Sequence, residues 1–397
     1  MNDNDRETNV SQYEYCFGCG ICATVCHSGA ITMHLNDDGF YAPSVKEDKC
    51  VGCGLCLAVC AKEESPQFEK PLRSWAAWSK DERIRRKCSS GGVSFEIGKQ
   101  LIENGYKAVG CRYDTRQQRA EHYIATTVEE FVQSIGSKYI QSYTEEAFKK
   151  IDRKQKYLIT GTPCQIASFR RMTKKFHCED SFILLDFYCH CVPSMNAWKA
   201  YVKMLEPKIG KITYASWRNK FDYGWHDSWL MAVDGTKTSE PVDWSEPFDK
   251  IVQERTTAIQ SRMSKGDLFY KLFLGDVCLG PQCEKDCKYK YNCSSADIRI
   301  GDLWGPTYKN DEKGVSALVA FTDKGKTVVE GLNNISLVEH PFEIVAEGQM
   351  KSNARHKEMT PIIMKLLRRG CSLDSIPFRV AMLTQRVITK IKNTLRR

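Results

Sequence analysis

The chain has 397 residues, 42% of them hydrophobic and 27% charged, enough apolar material for two or three buried cores and too little for a membrane-embedded bundle. No apolar run reaches spanning length, and the opening MNDNDRETNV lacks a charged-then-apolar signal pattern, so a cytoplasmic protein with no transmembrane segment is expected. Its 19 cysteines then point to metal or redox chemistry rather than disulfides, and a net charge of +9 on basic residues read as scattered, with no DNA or RNA motif, predicts no nucleic-acid partner.

The first element is a repeat. CFGCGICATVC begins at Cys16 and CVGCGLCLAVC at Cys50, each with the spacing C-x2-C-x2-C-x3-C. Three thiols at x2 spacing let one loop wrap three corners of a cubane, and the fourth reaches the other cluster, as in bacterial ferredoxins. Cys16, Cys19, Cys22 and Cys60 are therefore assigned to one 4Fe–4S cluster, and Cys50, Cys53, Cys56 and Cys26 to a second. Two zinc knuckles would pair C-x2-C units across a longer gap. The proline that usually follows the fourth cysteine is absent, His27 and Ala61 standing there. Between the runs, Ile31, Met33 and Leu35 alternate with polar residues, Asp38-Gly39 turns, and Tyr41, Pro43 and Val45 alternate back, which predicts a hairpin. Residues 1–62 are read as a dicluster domain and the polar, proline-bearing stretch 63–80 as a linker.

Next, Ser89, Ser90, Gly91 and Gly92 precede a helical pattern carrying Val93, Ile97 and Leu101 on one face, and YKAVGCRYD reads as a strand. Free N–H groups at such a helix start suit a phosphate, although serine there is also an ordinary cap. No Walker A loop and no G-x-G-x-x-G fingerprint occurs. GSKYIQS from Gly136 carries one lysine among small polar residues. KYLITGTPCQIASFRRM reads as strand, turn and helix, and FILLDFYCHCVPSMNAWKAYVKML repeats that order. Ligands of open α/β sheets bind beyond the carboxyl ends of such strands, so Thr162, Cys164, Gln165, Cys189, His190 and Cys191 are expected to share a crevice. Cys278, Cys283, Cys287 and Cys293 follow, at spacings matching no standard template, as ligands of a candidate third 4Fe–4S cluster, which Cys164 or Cys189 could join, or of a structural zinc held by the same four. ADIRIGDLWG and SALVAFTDKGKTVVEGL read as further strands, the second leading into a helix. Thr360-Pro361 starts and Gly370 stops a short helix. In the tail, Val380, Leu383, Val387, Ile391 and Leu395 share one helical face among basic residues, so either a membrane-surface helix or, as the commoner outcome, a docked one is expected.

A dicluster module followed by SSGGV, GSKY, GTPCQ, CH-x-VPS and ADIxIGDxWG resembles the coenzyme F420 hydrogenase/dehydrogenase beta-subunit family from about Tyr15 to Leu332. The resemblance implies an α+β chain in which the ferredoxin-type domain is followed by a mixed α/β flavin-binding body. That body would comprise a part at 81–150, a second part at 151–332 with the cysteine segment, and a helical extension at 333–397. It implies FAD, lined by Ser89, Ser90, Gly91 and Gly92, with Ser137, Lys138 and Tyr139 near its phosphates or ring. Thr162, Cys164 and Gln165 would face the ring or a nearby cluster, and His190 and Lys138 are the candidate catalytic residues, His190 as proton donor. Coenzyme F420, a small organic substrate and a redox partner protein or ferredoxin are implied as further ligands and partners. Two departures stand out: Cys191 replaces the glycine of CHGVPS, and the close cysteine pair before ADIxIGDxWG is spread apart. The expected activity is that of an iron–sulfur flavoprotein oxidoreductase, or else of an electron-transfer subunit whose chemistry lies in a partner.

Overall fold

The computed structural model describes residues 9–63 and 65–395. Most of the opening decapeptide, and Glu64 of the expected linker, lie outside the described residues.

The N-terminal hairpin pairs β1 (Ile31–Leu35) with β2 (Tyr41–Val45), in register from Ile31 opposite Val45 to Leu35 opposite Tyr41. Its turn needs Gly39, whose φ is +77°.

Among the described residues, nine strands form one mixed sheet. In chain order they are β3 (Arg73–Ser79), β4 (Lys107–Asp114), β5 (Arg119–Ala125), β6 (Ser142–Tyr143), β7 (Tyr157–Thr160) and β8 (Phe182–Phe187). A three-stranded sheet of β9 (Ile212–Ser216), β10 (Leu230–Gly235) and β11 (Ile259–Arg262) interrupts them before β12 (Ile298–Asp302), β13 (Ser316–Ala320) and β14 (Ile335–Glu339) complete the large sheet. Its spatial order is β14-β3-β13-β12-β8-β7-β4-β5-β6, with β12, β8, β7 and β4 mutually parallel.

Of these parallel strands, β7 and β8 are buried on both faces, which is why they read as nearly unbroken apolar runs. Leu158, Ile183 and Leu185 point to a core shared with helix Val93–Glu103, whereas Tyr157, Ile159, Phe182 and Leu184 point to one shared with helix Pro163–Lys175. A third core surrounds Trp198 on helix Met195–Ile209 and reaches the small sheet.

Two segments differ from the expectation. The second half of the expected linker is strand β3, with Trp75, Ala76 and Ala77 buried between β13 and β14. The proline and charged residues just before it look like a linker, but the small side chains of WAAW let both faces be covered. The C-terminal extension likewise begins with β14, on the sheet edge, before its helices Thr360–Arg368 and Ile376–Leu395.

The ferredoxin module is docked on the body rather than tethered. Met33 N–H donates to Glu145 Oε2 at 2.7 Å, Tyr41 N–H to Gln141 Oε1 at 2.8 Å, and Met195 N–H to Gly39 O at 2.8 Å. Ile21, Val25 and Val59 share a core with Phe148, Phe169 and Met172.

Candidate functional site

The two cysteine loops turn at Gly18, Gly20, Gly52 and Gly54, all left-handed with φ between +66° and +76°. Side chains there would be strained, and the turns let each run close on itself. Cys16, Cys19, Cys22 and Cys60 face one point: burial first, and then one another, push Cys16 up to about 12 and Cys60 to about 11, with Cys22 well above the usual thiol range. Buried thiols grouped this way give up their protons only to a cation placed among them. Cys56 is raised by burial and by Cys53, and Cys26 and Cys50 join it in one apolar cluster. This donor set fits two iron–sulfur clusters.

The cysteine-bearing loops after β7 and β8 open into a cavity of about 450 Å³. Thr162 and Gln165 form a capping box at the first turn of helix Pro163–Lys175, with Thr162 N–H donating to Gln165 Oε1 at 2.8 Å. Ser194 caps helix Met195–Ile209. The Ser89–Gly92 turn enters from the other side, where left-handed Gly92 starts the helix Val93–Glu103. Ser89 Oγ accepts from Ser137 N–H at 2.8 Å and Ser137 Oγ at 3.0 Å, so the SSGG and GSKY segments hold each other.

Ser89, Ser90, Gly92, Ser137, Lys138, Tyr139, Thr162, Gln165, Cys189, His190 and Cys191 all line the cavity. Gly91 is not in that lining and packs on the sheet, where a Cβ would meet Ala77 O at 2.4 Å. Cys164 lies behind the wall, 3.2 Å from Thr162 Oγ1. Lys138 directs Nζ at the carbonyls of Gln133, Ser134 and Ile135, at 3.0–3.1 Å, and burial lowers it to about 8. All three of its donors are engaged, so it shapes the wall rather than reaching a ligand. His190 sets Nε2 2.9 Å from Asp276 Oδ1 and Nδ1 2.9 Å from Met350 Sδ.

Several residues in or against the cavity wall carried no motif. Arg218 has no exposed side-chain surface; it bridges Asp302 and Tyr139 OH at 3.2 Å and stacks between Trp229 and Trp304, at 4.9 and 5.0 Å. A lone arginine in YASWRNKFDYGW, set among aromatics, was the only available signal. His122 donates through Nε2 to Thr160 O at 3.0 Å, which leaves Nδ1 a buried acceptor without a partner, and Tyr188 OH is likewise unpartnered. Both lie in the cavity wall. A helix N-terminus, stacked aromatics and orphaned polar atoms fit a planar, phosphate-bearing cofactor such as FAD.

The body thiols gather differently from the expected set. Cys164 is raised well above the usual range by burial, and further by Cys189, Cys287 and Cys19. Burial pushes Cys189 to about 12, with Cys191 and Cys287 adding to it. Cys191 is lowered to about 7 by a hydrogen bond from Cys283, and next opposed by burial. Burial disfavours the charge on Lys290, but the surrounding thiols hold it up, and Nζ donates to Cys189 O at 2.7 Å and His190 O at 2.5 Å. Cys164, Cys189, Cys191, Cys283 and Cys287 thus act on one another in a chain, Cys189 being common to it. Cys278, in contrast, is sealed in the Trp198 core, and Cys293 rests beside Glu69 with its thiol 3.8 Å from Asn292 Oδ1. Cys283 also packs against that core, and Cys287 is among the groups that raise Cys293 after burial.

Residues 74–149 match the family model described as coenzyme F420 hydrogenase/dehydrogenase, beta subunit N-term, and residues 154–341 the one described as its C terminus. Residues 15–63 match the 4Fe-4S dicluster domain. No curated protein matches. Among solved structures, a chain of the xenon-derivatised F420-reducing NiFe hydrogenase complex from Methanosarcina barkeri is similar at 16% identity and a TM-score of 0.45, over 77% of this chain and 91% of that one.

Proposed function

The chain belongs to the coenzyme F420 hydrogenase/dehydrogenase beta-subunit family, and from that premise we propose that it is an iron–sulfur flavoprotein oxidoreductase. It would pass electrons between a redox partner protein or ferredoxin and a hydride-exchanging cofactor or small organic substrate. The observation that carries this reading is a line of buried and half-buried thiols from the dicluster module to the cavity, with Cys19 acting on Cys164. Cys19 and Cys60 of the first cluster and Cys164 and Cys287 of the body all raise the phenol of Tyr289, after burial itself, so Tyr289 lies between the two groups of sulfurs. Phe17 and Tyr289 stack edge to face, 6.4 Å between centroids, and both reach the cavity wall.

In this reading Cys16, Cys19, Cys22 and Cys60 hold one cluster and Cys26, Cys50, Cys53 and Cys56 the other. Cys164, Cys189, Cys283 and Cys287 hold a third, with Cys191 as neighbour. Ser89, Ser90 and the first N–H groups of helix Val93–Glu103 would seat the phosphates of FAD. Tyr139, stacked on Trp229 at 4.9 Å and 12°, and the orphaned His122 Nδ1 and Tyr188 OH would orient its ring. When bound, a flavin takes a hydride as two electrons and releases them singly. His190, with Nε2 2.9 Å from Asp276 Oδ1, would be the proton donor of the cavity. Val51 is 65% exposed and Cys53 is exposed, which supports docking of a partner protein beside the second cluster.

The second reading, an electron-transfer subunit, is favoured by the family's being one of beta subunits. Anaerobic purification followed by cofactor extraction and iron analysis tests both. One noncovalent FAD per chain and iron for two or three clusters are expected, with turnover of an artificial hydride acceptor by the isolated chain. Flavin and clusters without any turnover favour the second reading. A chain that takes up no FAD on reconstitution sinks both flavin-based readings.

A further inference from the structure

The basic residues are not scattered. Residues 351–397 carry 12 Lys and Arg against two Asp and Glu, while residues 1–350 carry 46 against 47. The whole excess positive charge therefore belongs to the C-terminal 47 residues, and six of those basic side chains lie on the two helices, which contain no Asp or Glu and which the redox cavity does not use.

Helix Ile376–Leu395 docks on the body by a narrow face. Phe378, Ala381 and Gln385 are its buried residues, Gln385 Oε1 accepts Met359 N–H at 2.9 Å, and Lys392 pairs with Glu358. Away from that face, Ile376, Val380, Leu383, Val387, Ile391 and Leu395 are 78, 56, 60, 57, 54 and 81% exposed. Successive steps of three or four residues put all six on one stripe. At 100° per residue, Arg379, Arg386 and Lys390 line one edge of it, and the helix contains no Asp or Glu.

We propose that this helix is a membrane-surface anchor: it lies on bilayers containing anionic lipid, the aliphatic stripe in the acyl boundary and the basic edge among the headgroups. It does not cross, since among the described residues no helix is long and apolar enough to do so. Nucleic acid would use the charge and leave six aliphatic side chains in water. A second copy of the helix would cover the stripe but set one basic edge against another. Only an anionic, apolar-cored surface answers both features.

The test is flotation of the full chain with vesicles of phosphatidylglycerol and phosphatidylcholine mixed at about 1:2, against pure phosphatidylcholine. The protein is expected to float with the anionic vesicles and to stay down with the neutral ones. Arg379→Gln/Arg386→Gln/Lys390→Gln should weaken binding roughly hundredfold, at about fivefold per charge. Leu383→Glu/Val387→Glu should abolish it. Both variants alter exposed side chains, and unchanged cluster absorbance and thermal transition show that each is folded. The proposal is overturned if the wild type ignores anionic vesicles or if the Leu383→Glu/Val387→Glu variant binds them normally. It is overturned equally if sedimentation shows a dimer that the same variant dissolves, or if duplex DNA binds as tightly as the vesicles.

Discussion

Arg299 and Asp186 have no exposed side-chain surface, and Nε and Nη2 each donate at 2.7 Å to one of the two carboxylate oxygens. Asp186 also accepts from Ser294 Oγ, so this pair ties β8 to β12 beneath the cavity. Asp186→Asn should lower stability by about 3–5 kcal/mol in urea denaturation, because it leaves a guanidinium buried without a counter-charge. Asp186→Leu/Arg299→Met, which removes both charges, should be milder. His122 sets the acid limit differently. Burial lowers its pKa to about 4 from 6.5, so the folded chain keeps it neutral where the unfolded chain binds a proton. Its contribution is complete above pH 6.5 and is lost as pH falls toward 4, up to about 3 kcal/mol. His122→Gln retains a donor for Thr160 O and should flatten that part of the stability–pH curve; an unchanged slope would refute the assignment. Neither residue stood out in the sequence, because burial decides their roles and no motif encodes burial. Arg218 is the same case, whereas Asp302 at least sits in the GDLWG turn that does read as a motif.

At the scale of elements, helix Pro163–Lys175 is the clamp between module and body. Ser168 Oγ accepts from Cys19 Sγ at 3.3 Å and from Ala61 N–H at 2.9 Å. Ser168→Ala should cost about 1–3 kcal/mol by leaving that amide unpaired, and should alter the EPR signal of the cluster at Cys19 without touching the other. Equal change in both signals would count against the assignment of Cys16, Cys19, Cys22 and Cys60 to one site. The strand–turn–helix units at β7 and β8 were legible because caps and apolar runs are local signals. The cysteine runs were legible because ferredoxin loops carry their ligands in sequence. Strand β3 was not, since its partners β13 and β14 lie more than two hundred residues away and its own sequence is short and alanine-rich. The small sheet β9-β10-β11 offers neither a clean alternation nor a tight turn. The body thiols could not be grouped from spacing for a related reason: they come from loops after several elements, and spacing along the chain reports only one.

Seen whole, the dicluster module and the sheet share a core, so the molecule should melt as one body. Cluster absorbance and far-UV circular dichroism are expected to disappear together on heating, and removal of iron should lower that shared transition. Two separated transitions would mean that the hydrogen bonds to Gln141, Glu145 and Ser168 hold less than their geometry suggests. The position of β3 has a further consequence, for the order in which the protein is made. Residues 15–60 leave the ribosome complete with eight cysteine ligands, but the turn after β3 is fixed by Ser90 Oγ donating to Val315 O and Gly91 N–H donating to Ser316 Oγ. At roughly 5–20 residues per second, an interval on the order of 10–50 s separates the two during synthesis. The nascent chain can therefore be loaded with iron well before the Ser89–Gly92 turn is held, and if that turn seats a flavin as proposed, a chain stalled short of Val315 should carry clusters and no flavin.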